Sequence, residues 1–326
     1  MELIGSGPTE CGRTCNEEKM KAARIHSFGA PDVIVVEDVP RPVAAAGELL
    51  VRVVAAGVGP WDALIRQGKS KVSPPPPLTL GSDLSGVVEQ VGPNVTGLQK
   101  GDEVYGVTNP QFCGANAEYA LASANMTALK PSRLSHIEAA SVPVVAVTAW
   151  QMLFDYADAK PNQTVFILGA AGNVGAFAVQ FAARAGLHVI ALAGSKDIEY
   201  VRSLGGETVL DYQADRFENA VSSVDLVIDT VGGDTRERSF CVLRSGGSLV
   251  SVVSPDLKHK RTDVRSVFFY VEVTTERLNA ISQLLDGGRL IPQVGTILPL
   301  NDVRTAHEML AGAPHKRGKI VLQVAT

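Results

Sequence analysis

The sequence predicts an α/β protein, a doubly wound six-stranded parallel sheet joined to a second, mostly antiparallel β domain. Three observations predict it. From about Thr164 to Ile291, short apolar strands alternate with helical segments, the pattern of a parallel sheet with crossover helices. From Lys21 to about Tyr119, runs such as VIVVEDV, ELLVRVVAAG and LSGVVEQVG are punctuated by Gly and Pro, with no long helical period, as in an antiparallel domain. The length of 326 residues also exceeds what one compact core usually organises.

Composition excludes several function classes. A hydrophobic fraction of 45% supports large cores, yet no run reaches the ~18 apolar residues that span a bilayer. The net charge of −4 is spread without long basic runs, so neither nucleic acid nor anionic lipid is an expected partner. Cysteines stand at 11, 15, 113 and 241, neither a disulfide framework nor a zinc spacing, and the chain reads as cytoplasmic. The opening MELIGSGPTECGRTCNEE lacks the apolar centre of an export signal. Residues 1–19 are expected to be a disordered tail, although Cys11 and Cys15 could bind metal or oxidise together.

Residues 20–143 and 292–326 are assigned to the β domain, and residues 144–291 to the parallel sheet. SPPPPL at 73–78 reads as a stiff spacer loop. The six parallel strands are TVFIL, HVIAL, ETVL, VDLVIDT, GSLVSVV and VRSVFFYV, enough for a full dinucleotide-binding fold. After the first of these, Val174, Phe177, Ala178, Phe181, Ala182 and Ala185 keep the spacing of one buried helix face. The last zone returns to strand, helix, strand and is expected to pack back on the first domain.

The loop in FILGAAGNVGAF, residues 166–177, therefore joins a strand to a helix. Glycine at 172 lets backbone approach a pyrophosphate, glycine at 175 lets helix and sheet pack closely, and the helix N-terminus offers N–H donors. At the end of the second strand, where NAD binders place an acidic residue for the ribose, the sequence reads Gly194, Ser195, Lys196. A hydroxyl and a cation there suit the 2′-phosphate of NADPH, unless Asp197 bends back or Lys196 merely begins a solvated helix.

With these motifs in order, the chain resembles the medium-chain dehydrogenase/reductases, and among them the zinc-independent NADPH:quinone oxidoreductase-like branch. The resemblance runs from about Met20 to the C-terminus through AAGVGPWDALIRQG, LGSDLSGVVEQVGPNVTGLQKGDEVYG, VTAWQML, GAAGNVG, VIDTVGG, GGSLVSV and RGKIVL. It implies a Rossmann cofactor domain and a GroES-like catalytic domain. Zinc-using relatives place a cysteine in the first motif and a His-Glu pair in the second, where this chain has Gly59 and Gly81-Ser82-Asp83. No catalytic or structural zinc is expected, because glycine and serine cannot build an N/S site and Cys113 stands alone.

The resemblance also implies roles for matching positions. Thr148 would lie near the nicotinamide. Ala171, Gly172, Asn173, Val174 and Gly175 would line the pyrophosphate. Gly194, Ser195, Lys196, Tyr212 and Arg317 would surround the 2′-phosphate, with Tyr212 otherwise a half-buried aromatic. Thr230, Val231, Ser251, Val252 and Val253 would follow the fourth and fifth strands, and Phe269 and Val271 would meet the carboxamide. Phe268 to Val271 would pair with a second copy along an edge strand, giving a homodimer.

For the acceptor, Gly59, Trp61 and Leu64 are the candidate contacts, with Trp61 either a cleft wall or packing. The asparagine and tyrosine that relatives often carry in the first motif are absent, which leaves Lys69 and Ser70 as the nearest candidates for catalysis. Asp62 and Arg66, four apart on a helix, are expected to pair. Sparse acid-base residues without a metal favour hydride transfer from NADPH to a quinone or to the C=C of an α,β-unsaturated carbonyl. An enoyl-thioester reductase, suggested by Arg66, Lys69 and Lys71 as a basic rim, and a non-catalytic NADPH-binding protein are the alternatives.

Overall fold

The computed structural model describes residues 18–325, apart from 215 and 258. The expected tail, with Cys11 and Cys15, lies outside the described residues except for positions 18 and 19, and Lys19 already opens the first strand.

β1 (Lys19–Ile25) and β2 (Ile34–Pro40) pair antiparallel, Ile25 opposite Ile34. β3 (Glu48–Val58) is the central strand of the larger antiparallel sheet, with Leu49, Val51 and Val53 fully buried at alternate positions, as a period of two requires. The short α1 (Pro60–Arg66) leaves it with proline at its first position, where no N–H is needed. β4 (Leu78–Thr79) adds to β1. β5 (Asp83–Val91) and β7 (Tyr119–Ser123) each pair antiparallel with β3, and β6 (Glu103–Val107) and β8 (Thr127–Leu129) extend the sheet from β5. α2 (His136–Ala140) and α3 (Pro143–Trp150) lead out of this layer, and α3 runs into a π-helical turn over Gln151–Tyr156.

The parallel layer comprises β9 (Thr164–Leu168), α4 (Asn173–Arg184), β10 (His188–Ala193), α5 (Ile198–Ser203), β11 (Thr208–Asp211), β12 (Val224–Asp229), α6 (Gly233–Ser239), β13 (Leu243–Ser251), β14 (Arg265–Phe268) and α7 (Thr275–Asp286). The strand order is β11-β10-β9-β12-β13-β14, with every pair parallel. All six expected strands are present, and β9 coincides with TVFIL from end to end. β15 (Val294–Pro299), α8 (Val303–Leu310) and β16 (Lys319–Gln323) complete the chain, and β16 pairs antiparallel with β3.

Gly57 of β3 lies opposite Asp83 on β5 and opposite Val321 on β16. Three strands distant in sequence therefore meet at a residue without a side chain.

Candidate functional site

The glycine loop leaves β9 at the switch point of the sheet, because the chain goes first to β10 on one side and later to β12 on the other. Ligands bind such crevices at strand C-terminal ends. Gly169 takes φ +74°, and a Cβ there would lie 2.5 Å from Thr230 Oγ1. Glycine is required on both counts. Gly172 caps α4, is exposed, and would meet only Gly169 O, at 3.2 Å. Gly175 is buried, and its Cβ would stand 2.2 Å from the same oxygen. Ala171, Asn173 and Val174 are partly exposed around the open N-terminus of α4, whose first-turn N–H groups have no partner within the helix.

Across the crevice, the Thr230 hydroxyl donates to Leu168 O at 2.7 Å. Asp229, not singled out in the sequence, organises this rim. Its Oδ1 accepts from the N–H groups of Val231 and Gly232, and its Oδ2 from the Ser251 hydroxyl at 2.6 Å. That carboxylate ties the ends of β12 and β13 together and leaves Val231 and Val253 exposed, with Val252 half-buried between Ser251 and Val253.

At the corner after β10, Ser195 and Lys196 are exposed, and the ring of Tyr212 lies 3.4 Å from where a Gly194 Cβ would be. Tyr212 is 59% exposed rather than half-buried. Arg317 reaches this corner from the C-terminal segment. Its guanidinium pairs with Asp197, donates to Lys196 O and covers the Tyr200 ring. Asp197 is thus held by an arginine.

Thr148 is buried on α3, and its hydroxyl donates to Val144 O at 2.7 Å. Phe269 stacks on Tyr156 with ring centroids 4.2 Å apart, and Glu272 N–H donates to Gln151 Oε1 at 2.9 Å. The π-helical turn therefore holds the segment carrying Phe269 and Val271 against α3. Gln151 has no signal in the sequence, since only this departure from α-helical phase aims it there.

On the opposite side, α1 carries Trp61 and Leu64. The indole Nε1 donates to Ser82 Oγ at 2.8 Å, and the ring covers the Lys319 ammonium at 4.0 Å. Lys319 and Asp83 form an ion pair of 2.8 Å with both side chains buried. The pair meets across β3 at Gly57, where a Cβ would lie 2.9 Å from Lys319 Cε and 3.0 Å from Asp83 Cβ. Gly59 serves Trp61 in the same way, its Cβ position being 2.3 Å from the ring. Burial pushes the Asp83 carboxyl upward, while Lys319 and the Val144 N–H pull it back.

The expected Asp62–Arg66 pair is not formed. Asp62 turns back to accept the Gly59 N–H at 2.7 Å, which satisfies the open end of α1. Its other oxygen has no partner among the described residues, and burial raises the carboxyl to about 7. Arg66 is buried instead against α8, donating to His307 Nδ1 and Gly29 O. It is not part of a basic rim. Burial, with the adjacent Arg66, lowers His307 to about 3. Lys69 is exposed, and the Ser70 hydroxyl accepts the N–H groups of Val72 and Ser73 within its own loop.

Comparison with known proteins agrees with this fold. Family models match residues 45–132 as "Alcohol dehydrogenase GroES-like domain", 204–322 as "Zinc-binding dehydrogenase" and 156–237 as "Alanine dehydrogenase/PNT, C-terminal domain". The "Quinone oxidoreductase" of Sus scrofa is 30% identical over 326 residues, covering 94% of this chain and 98% of that protein. The "2-methylene-furan-3-one reductase" of Solanum lycopersicum is 32% identical over 290 residues, covering 85% and 71% respectively. The solved quinone oxidoreductase of Coxiella burnetii superposes with a TM-score of 0.86 at 32% identity, over 94% of this chain and all of that one. Among the described residues, no group of three His, Cys, Asp or Glu side chains is placed to hold a metal ion, and no helix is long and apolar enough to cross a membrane.

Proposed function

The chain belongs to the medium-chain dehydrogenase/reductase superfamily, and from that premise we propose that it is an NADPH-dependent, metal-free reductase of quinones or of activated C=C bonds in α,β-unsaturated carbonyls. Relatives named for a quinone and for a methylene-furanone support this acceptor class. The observation that carries the cofactor choice is the Arg317–Asp197 pair beside Lys196. It neutralises the carboxylate that could bond a ribose 2′-hydroxyl and leaves the Lys196 ammonium for a 2′-phosphate.

The cradle fits a dinucleotide. Gly172 leaves open the space that a side chain would fill above the α4 N-terminus, and Ala171, Asn173, Val174 and Gly175 complete a turn for the pyrophosphate. Thr148, Phe269 and Val271 would border the nicotinamide, with Thr230, Val231, Ser251, Val252 and Val253 along the rim between. Bound NADPH supplies the hydride.

The chain's own residues orient the acceptor and keep water out. Trp61 and Leu64 would form the acceptor wall, with Gly59 leaving room for the indole. Zinc in this fold would need ligands where Gly59 and Ser82 stand. Ser82 Oγ accepts the indole N–H and Asp83 is committed to Lys319, a donor set that does not suit zinc. Reduction of a quinone yields a stabilised phenolate and asks little of a proton donor, which agrees with the surroundings of Lys69 and Ser70. The same reading places the enzyme in the cytoplasm, where the free thiols of Cys113 and Cys241 stay reduced, and pairs two copies along the β14 edge. Calorimetric titration tests the cofactor choice: NADPH should bind at least about tenfold more tightly than NADH, and equal affinities would contradict it.

A further inference from the structure

We infer that Lys319 is a positioning residue of the acceptor site, and that the Trp61 wall it steadies selects flat, conjugated ring acceptors over short flexible enals. The inference rests on the proposed acceptor reduction. Trp61 is held from three directions: its N–H by Ser82, one ring face by the Lys319 ammonium, and its far edge by the space above Gly59. Lys319 is itself buried and paired with Asp83 across the gap at Gly57. The second oxygen of Asp83 accepts the Val144 N–H at 3.1 Å. Val144 stands in the first turn of α3, and Thr148 lies one turn further on.

One carboxylate thereby sets the acceptor wall in register with the helix that would border the cofactor ring. An indole fixed in this way loses little rotamer freedom when a planar acceptor packs on it. Such packing rewards flat ring systems, which cover more of the indole than a short alkenal can. Trp61 keeps part of its surface open, and Leu64, one turn on, is 46% exposed.

Trp61 and Trp150 are the two tryptophans of the chain, so a Trp150→Phe background isolates Trp61 emission. In that background, Ser82→Ala removes the indole acceptor, and the double variant Lys319→Met/Asp83→Asn removes the ion pair without stranding a charge. Acrylamide quenching of Trp61, NADPH affinity, and kcat/KM for a naphthoquinone and for a linear 2-alkenal are measured on each. Quenching should rise at least about twofold, and the quinone-to-alkenal ratio of kcat/KM should fall about tenfold, with NADPH affinity within about twofold of the parent. Unchanged quenching would overturn the lock, and loosened Trp61 with an unchanged ratio would overturn the selection. Ser82→Ala decides the selection, and should the double variant not fold, Lys319→Arg, which keeps a charge opposite Asp83 but changes the group over the indole, decides the lock. A parent protein that binds NADPH yet reduces neither acceptor would contradict the proposed function itself, and the selection with it.

Discussion

Lys319 and Asp83, 236 residues apart in the chain, form a fully buried ion pair of 2.8 Å across the one-residue gap at Gly57. Breaking such a pair from one side leaves an uncompensated buried charge. Lys319→Met should therefore lower the unfolding free energy by about 3–5 kcal/mol, and Lys319→Met/Asp83→Asn should recover much of the loss. Urea unfolding of both variants checks this, and equal stability of the two would mean that the pair is not charged as described.

Recognition of the 2′-phosphate predicts unequal responses to the two cofactors. Lys196→Ala should weaken NADPH binding about tenfold while changing NADH binding less than about twofold. Arg317→Met should weaken NADPH binding as well and, by releasing Asp197, shift preference toward NADH. Equal weakening of both cofactors by Lys196→Ala, read by calorimetry, would remove the case for phosphate recognition at this corner.

Two glycines of one loop should fail in different ways. A side chain at 172 meets little protein, so Gly172→Val should abolish dinucleotide binding while leaving the melting temperature within about 3 °C. A Cβ at 175 would press on Gly169 O at 2.2 Å, so Gly175→Ala should destabilise the fold by about 1–3 kcal/mol. Thermal melts with and without NADPH separate the two effects.

Asp62 sets a pH signature. Its carboxyl titrates at about 7 in the folded chain against 3.8 unfolded, so the folded state holds a proton that the unfolded chain has released. Its contribution to stability falls as pH rises from about 4 to about 7 and is level above. His307, at about 3 folded against 6.5 unfolded, acts oppositely, its stability being lost as pH falls below about 6.5. The difference between Asp62→Asn and the parent isolates the first effect. The variant should lack a decline in stability between about pH 5 and 7, and parallel profiles would show that Asp62 stays ionised.

Much of the fold is legible in the sequence where the signal is local. TVFIL, the α4 face and the glycine loop are governed by strand period, helix period and turn chemistry, and each falls at its expected place. The expected Asp62–Arg66 pair is absent for a physical reason. In a helix of seven residues, Asp62 lies in the first turn beside an open N–H, and Arg66 faces α8, which arrives from the far end of the chain. Lys319 stands within RGKIVL, yet nothing near it in sequence announces Asp83. Only the placement of β16 and β5 on either side of β3 brings the two together. Gln151 and Asp229 are likewise set by tertiary phase.

A metal-free hydride transfer from NADPH is tested most directly by NADPH oxidation in chelator-treated protein, with a naphthoquinone and a 2-alkenal as alternative acceptors. Acceptor-dependent consumption of NADPH without added metal, faster with the quinone, is the expected result. Turnover of neither acceptor until zinc is restored would contradict it.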